Sequence, residues 1–158
     1  MAFMNSINII GSGLTAQQLR LDIVSENVTN SQTTRTENGG GAYRRKMVVF
    51  EEVGSRNTFR AALARAALSQ KPVANSGTSP TAGGVRVAEI VEDEDNPMKM
   101  VYDPTHPDAN EDGYVELPNV DMVMEIADAM AASRAYASNV TAFNTLKSVI
   151  SSGLEIGR

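Results

Sequence analysis

The sequence predicts an α+β fold: long N- and C-terminal helices pairing as a coiled coil, with a small β-rich middle domain. Three observations predict it. Segments at roughly Ile7–Asn30 and Asp121–Leu154 carry apolar residues at helical spacing with few charges. The stretch between them is broken by glycine and proline and holds short runs of strand type. The two terminal segments also carry more apolar surface than so short a middle can cover. The chain therefore divides into an N-terminal helix at 1–33, a β-rich middle at 34–118 with a flexible loop near 71–84, and a C-terminal helix at 119–158.

In the first helix Ile7, Ile10, Leu14, Gln17, Leu21, Val24 and Val28 recur at spacings of three and four, a coiled-coil-like seam. A weaker row runs through Ile9, Ala16 and Ile23. Only Arg20, Asp22 and Glu26 carry charge. Gly11 and Gly13 each cost roughly 1 kcal/mol against alanine inside a helix. Without a partner the segment is expected to fray.

Tyr43–Glu52 and Val85–Val91 read as strands, with Met98–Tyr102 and Gly113–Leu117 as shorter ones. Phe59–Leu68 suits a short helix. Lys71–Gly84, rich in Pro, Gly, Ser, Thr and Ala, reads as a mobile loop. The result is a small twisted β unit with a poor core of its own.

The second helix follows Pro118-Asn119, with Asn119 or Asp121 as its cap. Glu125 and Asp128 near its start and Lys147 near its end suit the helix macrodipole. One stripe runs Val123, Ile126, Met130, Ser133, Ala137, Val140, Asn144. Another, about 100° away, runs Ala129, Ala132, Tyr136, Asn139, Phe143, Leu146, Ile150. Only five residues of this segment are charged, namely Asp121, Glu125, Asp128, Arg134 and Lys147. An antiparallel helical hairpin lying over the β unit would bury one stripe of each helix. Two-sided stripes and low charge point further, to burial by neighbouring subunits.

Composition narrows the function. The net charge of −5 argues against broad nucleic-acid binding, and Arg44-Arg45-Lys46 is too short to track phosphates. No cysteine is present to form a disulfide or hold a metal. No run approaches the length of a membrane span, and the N-terminus lacks a basic region with a cleavage site. No catalytic, cofactor or metal site is expected. Asp108, Asn110, Asp112 and Gly113 match positions 1, 3, 5 and 6 of an EF-hand loop, but position 12 is Asn119 rather than glutamate. A calcium-binding module at 108–113 is the alternative to a polar turn. The acidic run Glu92–Asp95 reads as a solvated face or a turn. His106, next to Pro107, reads as a turn residue rather than a general base.

Ser12-Gly13-Leu14-Thr15-Ala16-Gln17, Leu21-Asp22 and Ser25-Glu26-Asn27-Val28-Thr29-Asn30-Ser31-Gln32-Thr33 resemble the signature of the flagellar basal-body rod proteins, with Thr29 where alanine is usual. Gly40-Gly41-Ala42-Tyr43-Arg44-Arg45 continues the likeness. Tyr102-Asp103-Pro104, His106-Pro107, Ala109-Asn110, Gly113-Tyr114-Val115 and Pro118-Asn119-Val120 resemble the proximal-rod branch of that family. So do Ser133-Arg134-Ala135-Tyr136, Asn139-Val140 and Asn144-Thr145-Leu146-Lys147. The resemblance is weakest from about Asn57 to Gly83.

The resemblance implies a structural subunit without catalytic activity, exported unprocessed by the flagellar export apparatus and assembled in the periplasm. Implied partners are other rod proteins, the basal adaptor FliE and neighbouring copies of the chain. A different rod or hook paralogue is the rival within the same system. The expected assembly interface comprises Ile7, Ile10, Leu14, Leu21, Val24, Asn27, Val28 and Asn30. From the second helix it takes Val123, Ile126, Met130, Tyr136, Val140, Phe143, Leu146 and Ile150.

Overall fold

The computed structural model describes residues 2–36, 41–53 and 83–156. The helix expected at 59–68 and most of the loop at 71–84 lie outside them. The described chain runs α1 (Ala2–Thr29), β1 (Lys46–Glu52), β2 (Val85–Glu92), β3 (Lys99–Tyr102), β4 (Tyr114–Leu117) and α2 (Met122–Ile156). The α+β reading holds, and all four strands fall where they were expected: β1, β3 and β4 are trimmed by one to three residues, and β2 runs one residue further.

α1 closes on a tightened turn in which Asn30 N–H donates to Glu26 O (3.0 Å) and Ser31 N–H to Val28 O (3.3 Å). α2 begins at Asp121, whose Oδ1 accepts from Val123 N–H at 2.9 Å. Asp121 is therefore the cap, since a side-chain oxygen there satisfies one of the helix's orphan donors. Asn119 is employed elsewhere.

The two helices run antiparallel. Asn27 meets Glu125, Arg20 meets Asp128, and Asn139 lies over Gly13, so positions advance along one helix as they retreat along the other. A Cβ at Gly13 would stand 3.0 Å from Asn139 Nδ2. The intrinsic helix cost of this glycine is thus offset by close approach of the partner helix.

The strands form two separate antiparallel ribbons, β1–β2 and β3–β4. In the first, Val49 faces Glu89 but Phe50 faces Val87, a bulge that leaves Ala88 unpaired. α1 packs on both β1 and β2, whereas α2 packs on no described strand and β3–β4 on neither helix. α1 is accordingly the middle layer, between α2 and the β1–β2 ribbon. The buried apolar set is small: Ala16, Ile23, Val24, Ala42, Tyr43, Val115, Val120 and Ala132 among the described residues. Of these, Val115 is the one that lies in a strand, and the described strands make two separate ribbons rather than the single β unit expected.

Gly84 fixes the contact between ribbon and helix. It has φ +101°, and a Cβ there would fall on Ser12 Oγ and 3.2 Å from Ile9 Cα. Ser12 Oγ accepts from Val85 N–H (3.1 Å) and donates to Ile9 O (2.7 Å). Gly84→Ala combines a left-handed backbone with a backbone clash, and we expect a loss of about 2 kcal/mol. Urea unfolding measures the loss, and faster amide exchange at Val85 should accompany it.

Candidate assembly interface

The apolar rows sort differently from their rank in the sequence. On α1 the buried side chains are Ala16, Ile23, Val24 and Asn27. Two of these belong to the row that looked weaker, although its third member, Ile9, is exposed. Ile7, Ile10, Leu14, Leu21, Val28 and Asn30 are half-buried. On α2 the row through Ala129, Ala132 and Asn139 faces α1, and Ala132 is fully buried. Val140, Leu146 and Ile150 are half-buried, and Tyr136 and Phe143 sit at the edge of exposure. Val123, Ile126 and Met130 face outward, Val123 with 76% of its surface exposed. Small residues let the helices approach closely, so alanines, glycine and asparagine make the intramolecular contact. The larger apolar side chains on the other side of α2 are left uncovered.

Where α1, the chain entering β1 and the first turn of α2 meet, the contact is polar. Glu125 and Asn27 have 0% and 1% of their surface exposed. Asn27 Nδ2 donates to Glu125 Oε2 (3.0 Å) and to Lys46 O (2.8 Å). Its Oδ1 accepts from Tyr43 OH and from Lys46 N–H, both at 2.9 Å. The other Glu125 oxygen accepts from Arg45 Nε. Arg45 also lies 3.8 Å from Asp93 and 3.6 Å from Asp128. Asn119 Oδ1 accepts from Arg45 N–H (2.9 Å), and its Nδ2 donates to Asp93 O (2.9 Å) and Asn96 O (3.0 Å). One connected network thus ties both helices to the β1–β2 ribbon and to the turn after it. Such a network is worth having buried only when every member is satisfied, and here the members are.

Burial, followed by the negative charges of Glu26, Glu125 and Glu92, pushes the Tyr43 phenol well above its ordinary pKa. It therefore remains a donor to Asn27 at neutral and alkaline pH. The Lys46 ammonium lies 5.4 Å over the Tyr43 ring and pairs with Glu26.

Sequence reasoning missed this hub. It placed Asn27 in the interface but gave Glu125 only a role in complementing the helix dipole and read the 92–95 run as a solvated face or turn; the run does form the turn after β2, closed by Asp93 and Asn96. Asp93 is buried. The available signal was a pair of carboxylates, Glu125 and Asp128, in a helix otherwise nearly free of charge, with Arg44-Arg45 among the few cations.

Asn96 side-chain and backbone hydrogen bonds, helped by Arg45, hold the Asp93 carboxyl below the ordinary aspartate range, against the opposing effect of burial. A depressed folded-state pKa adds stability above the unfolded value, about 3.9, and that stability disappears as pH falls through the lower folded value. Wild-type stability should therefore drop below about pH 4, and Asp93→Asn should flatten that drop. Urea midpoints at successive acid pH values, compared between the two proteins, test this.

The loop at 108–113 is built as a turn. Asp108 accepts from Thr34 Oγ1 (2.8 Å) and Arg35 (2.7 Å). Asn110 Oδ1 accepts from Asp112 N–H (3.1 Å) and Tyr114 N–H (2.8 Å). Gly113, with φ +80°, makes room for the Tyr102 ring, which would lie 2.9 Å from a Cβ there. Tyr102 packs edge-on to Tyr114 with centroids 5.3 Å apart. His106 Nδ1 accepts from Asp108 N–H at 3.1 Å, as a turn residue would. No group of three or more metal-ligating side chains occurs among the described residues. No helix described is long and apolar enough to cross a membrane.

Residues 7–35 match the family model described as flagella basal body rod protein, and 111–156 the one described as flagellar basal body rod FlgEFG protein C-terminal. The matched segments are α1 with the turn after it, and β4 with α2. The chain is 42% identical over 161 residues to the flagellar basal-body rod protein FlgC of Bacillus subtilis, covering 100% of both chains. It is 40% identical to that of Borreliella burgdorferi, covering 99% of this chain and 98% of the other. With that of Salmonella typhimurium the identity is 35%, covering 100% of both.

Proposed function

Since this chain belongs to the FlgC family of flagellar basal-body rod proteins, we propose that its polar hub sets the shape of the subunit and its uncovered helix faces build the shaft. The protein is a structural subunit of the proximal rod and associates with other rod components of the basal body.

The observation that carries the proposal is the division of labour on α2. One side is fastened to α1 through Ala132, Asn139 and Glu125, while Val123, Ile126 and Met130 remain exposed on the other. A helix with unsatisfied apolar surface on a second side is suited to burial by neighbours. In the rod, α1 and α2 would pair as a coiled coil. Their partly exposed seam residues, Ile7, Ile10, Leu14, Leu21 and Val28 with Tyr136, Val140, Phe143, Leu146 and Ile150, would be covered by adjoining protomers, whereas Val24 is already buried within the chain. Packed helices would form the wall of the export channel and transmit torque without any catalytic step, and the β-rich middle would lie outside them.

Partners would include FliE at the base and further copies of this chain. The chain would travel through the flagellar export apparatus without a cleaved signal and act in the periplasm. Weak intrinsic helix formation at Gly11 and Gly13 suits passage as an unfolded chain. The test is the Val123→Asp/Ile126→Asp double variant, followed into isolated basal bodies by immunoblot. Exclusion from them supports the reading, and normal incorporation with normal swimming overturns it.

A further inference from the structure

We infer that Met122, Met124 and Met130 of α2 are an oxidation site: peroxides and hypohalous acids convert these thioethers to sulfoxides in the free subunit and so shut it out of the rod. The inference rests on the rod-subunit reading and adds a chemical control to its uncovered helix face.

The chain has eight methionines and no cysteine, so no thiol competes for oxygen-transferring oxidants and the thioethers are its reactive sulfur. Reactivity then follows exposure. Met124 is 61% exposed, Met130 50% and Met122 41%. All three lie within residues 122–130, about 12 Å of helix, in the same turns as the exposed Val123 and Ile126. At about 100° per residue, Met122 and Met130 stand on the flank that carries Ile126, and Met124 on the opposite flank. The side between the flanks holds Glu125, buried against α1. Among the described residues no other stretch gathers three exposed methionines. Met4, Met47 and Met100 are exposed singly, in α1, β1 and β3, and Met98 is half-buried.

The step balances with hydrogen peroxide as the oxidant. A sulfur lone pair takes one peroxide oxygen and the O–O bond breaks. The proton left on the transferred oxygen joins the departing hydroxide as water. Sulfur loses two electrons and the peroxide gains them. A weakly accepting thioether thereby becomes a polar sulfoxide. In the free subunit water solvates the new oxygen, and the fold is unaffected because these side chains lie outside the core. In an assembly that covers this face the oxygen is an acceptor buried among apolar side chains without a donor, which opposes docking. Methionine sulfoxide reductases reverse the change.

Full-length chain and isolated basal bodies are treated with hydrogen peroxide, and peptide mass spectrometry follows each methionine. In the free chain we expect Met122, Met124 and Met130 to oxidise at least about threefold faster than Met98, and in basal bodies at least about tenfold slower than in the free chain. Variants made in cells test the consequence. Met122→Gln/Met124→Gln/Met130→Gln carries neutral polar stand-ins for the sulfoxides, and its incorporation into basal bodies should fall at least about tenfold. The corresponding leucine variant, close in volume and resistant to oxidation, should incorporate to within about twofold of the unsubstituted chain. It should keep doing so in cells exposed to hypochlorous acid at a dose that lowers incorporation of the unsubstituted chain. Urea midpoints of both variants should match that of the unsubstituted chain.

Normal incorporation of the glutamine variant, or equal loss of the leucine variant under oxidant, overturns the inference alone. A lowered urea midpoint for the glutamine variant overturns it by placing the effect in the fold. Absence of the unsubstituted chain from basal bodies overturns the rod reading with it.

Discussion

Glu125→Ala should lower the stability of the isolated protein by about 3 kcal/mol, at the low end of the range for removing one partner of a buried ion pair. The carboxylate is fully buried and accepts from Arg45 Nε and Asn27 Nδ2. Its removal leaves a guanidinium that is itself only 18% exposed. Asp128 at 3.6 Å and Asp93 at 3.8 Å remain beside it, which is why the low end is expected. Glu125→Gln keeps the volume but sets an amide N–H₂ against either Arg45 Nε or Asn27 Nδ2. About 2 kcal/mol should be lost there, because one donor is left facing another. Asn27→Ala removes four hydrogen bonds at once, so its effect and that of Glu125→Ala should overlap. A double-mutant cycle by urea unfolding should show coupling of at least about 1 kcal/mol. Strict additivity would mean that the hub is a set of separate contacts rather than one network.

The Val123→Asp/Ile126→Asp double variant should behave in the opposite way. Val123 is 76% exposed and Ile126 50% exposed, so a carboxylate at either position meets water in the free protein. Stability should shift by no more than about 0.5 kcal/mol, as for ordinary surface substitutions. In an assembly that covers this face, two charges would be buried without partners. Each costs several kcal/mol, so incorporation into basal bodies should fall by more than about a hundredfold. Unfolding curves and immunoblots of isolated basal bodies together check both halves. A large loss of stability would relocate the defect to the fold. Normal incorporation would show the face to be uncovered in the rod as well.

The contrast between these variants follows from two kinds of helix face that look alike in the sequence. Val123, Ile126 and Met130 recur at the same spacing as residues of an ordinary core stripe, and nothing local says that water covers them. Ala129, Ala132 and Asn139 look less apolar, yet they face the partner helix. Close approach of two backbones favours small side chains over large ones. On α1 the same effect favours Ala16 over its larger neighbours and explains why Gly13 is tolerated beneath Asn139.

The sequence by itself determined the elements: two long terminal helices from apolar spacing and low charge, four short strands from strand-type runs between turn residues, the cap region of α2, and a turn at 108–113. These are local properties, set by spacing, backbone preference and side-chain chemistry within a few residues. Only the tertiary structure decided that Asn27, Arg45, Asp93, Asn119 and Glu125 form one buried network, although almost 100 positions separate Asn27 from Glu125. It also decided that α1 is the middle layer and that the larger apolar stripe of α2 faces outward. The physical reason is that hydrogen bonds and ion pairs between distant segments depend on how helices and ribbons are stacked. A buried charge is stable only where that stacking brings its partners within reach.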